Sequence, residues 1–159
     1  MVGELYDNWP TTARLILSSF LGNGTHKPST LCFGVDVLPP TSNHMYLRNS
    51  SGRSRLSDEA VTFRQLVNYA IGHQKHVFTC RGTACLLYLM ESPFWVTKEH
   101  VVRDMDVDNR TKAMADAIMH SIQVTDSTNW EIHQYKVASK KTRTTVYLFD
   151  MGDLVQFHT

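Results

Sequence analysis

The run Leu86-Leu87-Tyr88-Leu89 constrains this chain more than any other feature. A strand with one wet face alternates apolar and polar residues, whereas a continuous apolar run needs cover on both faces. The run sits in an apolar stretch from Thr83 to Met90, set off by the turn residues Arg81-Gly82 and stopped by Ser92-Pro93. Its length suits a buried strand and falls far short of a membrane span. The 159 residues are 42 % hydrophobic and 10 % aromatic, enough for one core without disulfides or metals. Three cysteines (Cys32, Cys80 and Cys85) and no leader pattern point to a reducing compartment.

The rest of the chain supplies that cover. Phe63, Leu66, Val67, Ala70 and Ile71 form one face of a helix, with Thr62 and Gln65 at capping-box spacing and Gly72 at its exit. Lys112 to Ile122 is a second helix, with Ala113, Met114, Ala117 and Ile118 on one side. A third, short helix follows Trp9-Pro10, with Ala13, Ile16, Leu17 and Phe20 at helical spacing and Gly22-Asn23-Gly24 ending it. Strands are predicted at Leu31–Val37, His44–Arg48, His76–Cys80, Thr83–Met90, Trp130–Val137 and Thr144–Phe149, with a terminal edge strand at Leu154–Phe157. Trp130–Val137 and Thr144–Phe149 read as a β-hairpin around Ser139-Lys140-Lys141-Thr142-Arg143. Asn49 to Asp58 reads as a mobile loop. These elements do not alternate as in a parallel βαβ fold. The expected fold is α+β, a mainly antiparallel twisted sheet with two or three helices packed on one face. Residues 1–24 are expected to form an N-terminal helix or arm for self-association, and residues 25–159 a single globular domain.

Patterns for chemistry are sparse. His73, His76, Cys80 and Cys85 have the right types for zinc, but their spacing matches no compact knuckle, and buried cysteines often serve as small hydrophobes. Asp104, Asp106 and Asp108 imitate the start of a calcium loop, yet Asn109 stands where the turn glycine is needed and Ala115 where the bidentate glutamate is needed. The bland reading is an acidic approach to the Lys112 helix, favourable at the positive end of its dipole. No GxSxG elbow, HExxH helix or phosphate-cradling glycine loop is present. No catalytic, metal or cofactor-binding residue is therefore assigned, and an enzyme is not expected. The formal net charge of +1 speaks against a strongly basic nucleic-acid binder. Local patches remain: Lys136, Lys140, Lys141 and Arg143 at the hairpin tip, and Arg48, Arg53 and Arg55 in the loop, both suited to the phosphates of membrane lipid or RNA.

The string Val61-Thr62-Phe63, Leu66-Val67, Ala70-Ile71, His73, His76, Phe78, Gly82, Leu86-Leu87, Leu89, Ser92 resembles the core of rhabdovirus matrix proteins. That family has a Thr-aromatic helix start, a His-containing exit, a Gly turn and a Leu-rich strand. Leu31–Val37 and the Tyr135–Asp150 hairpin extend the likeness. A long lysine-rich N-terminal tail and the PPxY and PTAP motifs are missing, which points to a short plant-type member. The resemblance implies a non-enzymatic matrix-type structural protein that self-associates, binds the anionic inner face of a membrane and condenses the viral nucleocapsid during virus assembly. Its implied location is the host cytoplasm and the inner face of the viral envelope in the virion, with the nucleus also open to it. Ile16, Leu17 and Phe20 are its implied self-association residues. The alternative is a small viral accessory protein that antagonises host defence by binding host protein or RNA. A third reading is a zinc or cysteine enzyme.

Overall fold

The computed structural model describes residues 9–22, 28–48, 50–105, 108–125 and 129–152. The chain is α+β. Its main sheet has four strands, β1 (Thr30–Val35), β4 (Thr83–Ser92), β5 (Asn129–Ala138) and β6 (Arg143–Gly152), in the order β1-β6-β4-β5. β6 pairs antiparallel with both β1 and β4, whereas β4 and β5 run parallel. A separate hairpin pairs β2 (Tyr46–Arg48) with β3 (Ser54–Leu56). The helices are α1 (Thr11–Leu21), the single turns α2 (Ser42–Met45) and α4 (Gln74–Val77), α3 (Asp58–Ile71) and α5 (Asp108–Ile122).

β4 explains its own composition. Leu86, Tyr88 and Met90 point to one face of the sheet and meet Phe63, Val67 and Ile71 of α3 and Met114 and Ile118 of α5. Cys85, Leu87 and Leu89 point to the other face and meet Trp9, Ala13 and Leu17. A period of two over a strand covered on both sides leaves no position for a polar residue. β6 repeats the pattern, with Val146 and Leu148 on the α3/α5 face and Tyr147 and Phe149 on the α1 face. α3 and α5 thus share one face as expected, and α1 adds a second cover. Ile16 and Phe20 also pack there, Phe20 stacked on Phe149 at 4.4 Å between ring centres. Of the three side chains expected to self-associate, Leu17 is buried on this face and Ile16 and Phe20 are partly buried there.

Several local expectations change, among them the strand expected at His44–Arg48, of which only Tyr46–Arg48 is strand while His44 and Met45 belong to α2. α3 begins at Asp58, with Ser57 as its cap: the hydroxyl accepts from the Ala60 N–H at 3.1 Å. Asp58 and Glu59 occupy its first turn, where carboxylates complement the helix dipole, so Thr62 lies inside the helix and Leu66 stays 41 % exposed. Gly72 closes the helix at φ 52°, a left-handed value that suits glycine. The strand expected at His76–Cys80 is instead the turn α4 and coil. There the Gln74 amide donates to the Cys32 carbonyl (2.7 Å) and accepts from the Cys32 N–H (2.9 Å), covering the open edge of β1. The Asn49–Asp58 loop contains β3. β5 and β6 do not form a hairpin, because β4 lies between them. The expected strand at Leu154–Phe157 lies outside the described residues, and among those described no helix is long and apolar enough to cross a membrane.

Phe20→Ala is expected to lower unfolding free energy by about 1–3 kcal/mol, from lost apolar burial and ring stacking. Its sedimentation coefficient should match that of the wild type. An unchanged urea midpoint with an altered oligomer would contradict the packing described.

Candidate functional site: the acidic approach to α5

A parallel pair needs a crossover, and α5 is the helix that joins β4 to β5. The chain leaves the carboxyl end of β4, makes a 3-10 turn at Pro93–Trp95 and a small hairpin, and reaches Asp104, Met105 and the start of α5 at Asp108. Open α/β sheets place ligand sites outside the carboxyl ends of their strands, and this segment occupies that place over the parallel pair.

Several contacts fix it. Lys136, near the carboxyl end of β5, donates from Nζ to the Met105 carbonyl and lies over the Trp95 ring, 5.2 Å from its centre. Trp95 is buried, and its Nε1 donates to the Met90 carbonyl at 2.6 Å. Behind the segment, the Tyr88 hydroxyl lies 2.6 Å from Thr111 Oγ1 and 2.7 Å from Gln134 Oε1, tying α5 to β4 and β5. Thr111 and Gln134 also bond to each other. Arg110 donates from Nη1 to the Pro39 carbonyl, and burial lowers its pKa. Ser42 and Asn109 join side chains at 3.2 Å. The first turn of α5 is therefore anchored on both sides.

In sequence the acidic run is Asp104, Asp106 and Asp108, and one turn into the helix Lys112 pairs with Asp116 (Nζ to Oδ2, 3.4 Å). Asp104 is exposed, and Asp106 lies outside the described residues. In sequence these aspartates fail as a calcium loop and read as an acidic approach to a helix starting at Lys112, whereas the helix begins at Asp108. The signal that could have marked them is Asp106-x-Asp108-Asn109 running straight into a helix, with lysine four residues after Asp108.

The other expected residues fall elsewhere. The zinc set is not assembled: Cys80 packs toward the α3/α5 face, whereas Cys85 lies on the α1 face. Cys85 instead sits with Glu131 and His133, ligand atoms within 4.8 Å of one another. Burial, then the charge and hydrogen bond of Glu131, push its thiol up to about 12. A thiol held protonated is a poor metal ligand, so the trio reads as a hydrogen-bonded cluster. The basic tip is also divided. Lys136 turns inward as described, and Arg143 pairs with Asp36 at 2.7 Å, leaving Lys140 and Lys141 exposed. Arg48, Arg53 and Arg55 are exposed on and around the β2–β3 hairpin, with Arg55 3.4 Å from Asp58.

The Cys85 shift has a sign. The folded protein keeps the thiol proton where the unfolded chain, with its ordinary value of 9.0, loses it. The associated stability is complete below about pH 9 and is lost as pH rises from there toward 12. Urea unfolding at pH 8 and 10 should show a loss that Cys85→Ala reduces, by up to roughly 1.4 kcal/mol per pH unit. Equal slopes in the two proteins would contradict the assignment.

A search of curated proteins finds no match. One family does match: residues 36–148 fit the family described as endodeoxyribonuclease RusA. The matched span runs from the end of β1 through most of β6 and contains the whole acidic approach to α5. It also contains Val61–Trp95, the stretch that carried the likeness to rhabdovirus matrix proteins, and it overturns that likeness. With it go the matrix-type structural role, the accessory role in host defence, the expectation of a non-enzyme, and the nucleocapsid and membrane partners. The likeness rested on a helix, a turn and an apolar strand, which form the core of many unrelated α+β proteins. Since the match spans well over half of the 159 residues, the chain belongs to the RusA endodeoxyribonuclease family.

Proposed function

We propose that the chain is a DNA endonuclease that hydrolyses phosphodiester bonds at the acidic approach to α5, with branched DNA as its substrate class. The family match, which takes in that segment entire, carries this reading. The place of the segment in the fold supports it.

Phosphodiester hydrolysis requires an attacking water and a means of balancing negative charge on the phosphoryl group. Asp104, Asp106 and Asp108 offer a donor set made only of carboxylate oxygens, with no cysteine or histidine among residues 104–108. That chemistry fits a hard divalent cation such as magnesium rather than zinc. When bound, such an ion lowers the pKa of water and offsets charge on phosphate oxygens. The chain's own residues have separate tasks. Asp106 and Asp108 would hold the ion, and Asp104, which is exposed, adds negative charge beside them in the sequence. Lys112 presents its ammonium one turn into the helix, where Asp116 restrains it. It is suited to a phosphate oxygen as a point charge. Lys136 donates to the Met105 carbonyl and so holds the backbone that follows Asp104.

Cleavage of labelled four-way branched DNA in magnesium is the test. The wild type is expected to cut and to stop when EDTA is added. Asp106→Asn and Asp108→Asn should each reduce the rate by at least about 100-fold, the scale of losing charge stabilisation at a reacting centre. Circular dichroism spectra should be unchanged. Variants that cut as fast as the wild type would remove these carboxylates from the reaction.

A further inference from the structure

Beside the acidic segment lies a cleft of about 510 Å³ with an unusual lining. Three pieces of chain meet there: the 3-10 turn at Pro93–Trp95, the hairpin that follows it, and the β5–β6 connection. Lys98, His100, Arg103 and Lys140 line it, and among the described residues no carboxylate does. Phe94 lines it too, with 55 % of its surface exposed.

The walls are fixed before any ligand arrives. Ser92 Oγ accepts from the Phe94 N–H at 3.1 Å, and the neighbouring Trp95 is pinned inside, so Phe94 is held outward. The hairpin is closed by Arg103 N–H to the Trp95 carbonyl (2.9 Å) and Thr97 N–H to the Val101 carbonyl (2.8 Å). His100 turns its tip at φ 62°, a conformation uncommon for a residue with a side chain. Thr97 Oγ1 accepts from the Glu99 and Val101 N–H groups, both at 3.2 Å. The Ser139 N–H reaches the Ser92 carbonyl at 3.3 Å and draws the β5–β6 connection to the same corner. A rigid aromatic face among cations is the arrangement that binds unpaired nucleic acid, with bases stacking on the ring and phosphates meeting the charges. An apolar partner would leave the cations unmatched, and an unbroken duplex would leave the ring unused.

We propose that this cleft holds a DNA strand next to the cleavage site, with phosphates on Lys98, Arg103 and Lys140 and an unstacked base on the ring of Phe94. This inference rests on the endonuclease reading and adds how the substrate is chosen. Arg103, which lines the cleft, immediately precedes the exposed Asp104 of the acidic segment. The ring then favours DNA whose bases are unpaired or splayed, as at a branch, over continuous duplex.

The test is fluorescence anisotropy in EDTA, so that nothing is cut, on labelled four-way branched DNA, a single strand and a continuous duplex. Phe94→Ala is expected to weaken binding to the branched DNA and the single strand about tenfold, the scale of one lost base stack, and to leave duplex binding unchanged. Phe94→Tyr keeps a stacking ring and should bind like the wild type. Replacing Lys98, Arg103 and Lys140 together by alanine should weaken binding to all three and lower the salt slope by roughly 2. Wild-type affinity of Phe94→Ala on every DNA would overturn the proposal. So would a change in its sedimentation without a change in affinity, which would assign the ring to a second copy of the chain. Cleavage in magnesium, read separately, tells the two readings apart. Phe94-dependent binding in a wild-type protein that cuts no DNA would remove the endonuclease and keep the cleft. Normal cleavage with binding indifferent to Phe94 would do the reverse.

Discussion

The pairing of β4 on both edges sets the rest of the structure. Its partner on one side is antiparallel and on the other parallel. The antiparallel side could be closed by a short loop in other folds, but a parallel neighbour cannot be reached without crossing the sheet. α5 makes that crossing, and it must start at the carboxyl end of β4 and pack across the face. Asp104, on the segment that leads into it, is carried to the carboxyl end of two parallel strands as a consequence of the topology. The Tyr88 hydroxyl then joins three elements at one point, since it reaches Thr111 of α5 and Gln134 of β5 from the middle of β4. A buried hydroxyl with satisfied partners specifies one arrangement, because sliding α5 by a residue would leave these groups without each other. The strand that holds the core therefore also fixes where α5 begins.

What could be read from the sequence was what depends on local pattern. Leu86–Leu89 demanded two covers, and the structure supplies them with α3 and α5 on one side and α1 on the other. The apolar faces of α1, α3 and α5 were legible because helical spacing is set by the backbone alone. Pairing was less legible. β5 and β6 are adjacent in the chain and separated by a short basic turn, so a hairpin was the natural expectation. Yet β4 occupies the position between them, and nothing within residues 129–152 records that. The start of α3 shows a finer competition. Ser57 and Thr62 both carry a capping hydroxyl, and Ser57 prevails because Asp58 and Glu59 then sit in the first turn and Ala60 is buried.

The site was harder to read for a different reason. The three aspartates were compared with a calcium loop, whose ligands all come from one short segment. The proposed site takes its meaning instead from what the fold sets around the segment, Lys136, Trp95 and the anchored start of α5. Basic residues showed the same limit. Lys136 and Lys140 look alike in sequence, yet Lys136 lies on β5 and turns toward the Met105 carbonyl, while Lys140 lies in the exposed connection. The matrix-protein likeness drew on core positions, and core positions report a packing solution rather than a chemistry.

Net charge misled in an instructive way. A value of +1 argued against nucleic acid, yet the family cleaves DNA. The two facts are reconciled by how the charge is distributed. Affinity for a polyanion follows the number of phosphates met by cations, not the sum over the whole surface. Carboxylates that hold a metal ion subtract from the net charge without repelling the substrate once that ion is in place. Three cations in one cleft release only about three counterions, so sequence-independent attachment to duplex is weak and falls with salt. A chain of this kind gains little by gripping every duplex it meets. On the proposed reading, discrimination comes from a group that duplex cannot satisfy, and the exposed ring of Phe94 is such a group. Near-neutral charge and the proposed stacking surface then work together, each favouring distorted DNA over the intact helix.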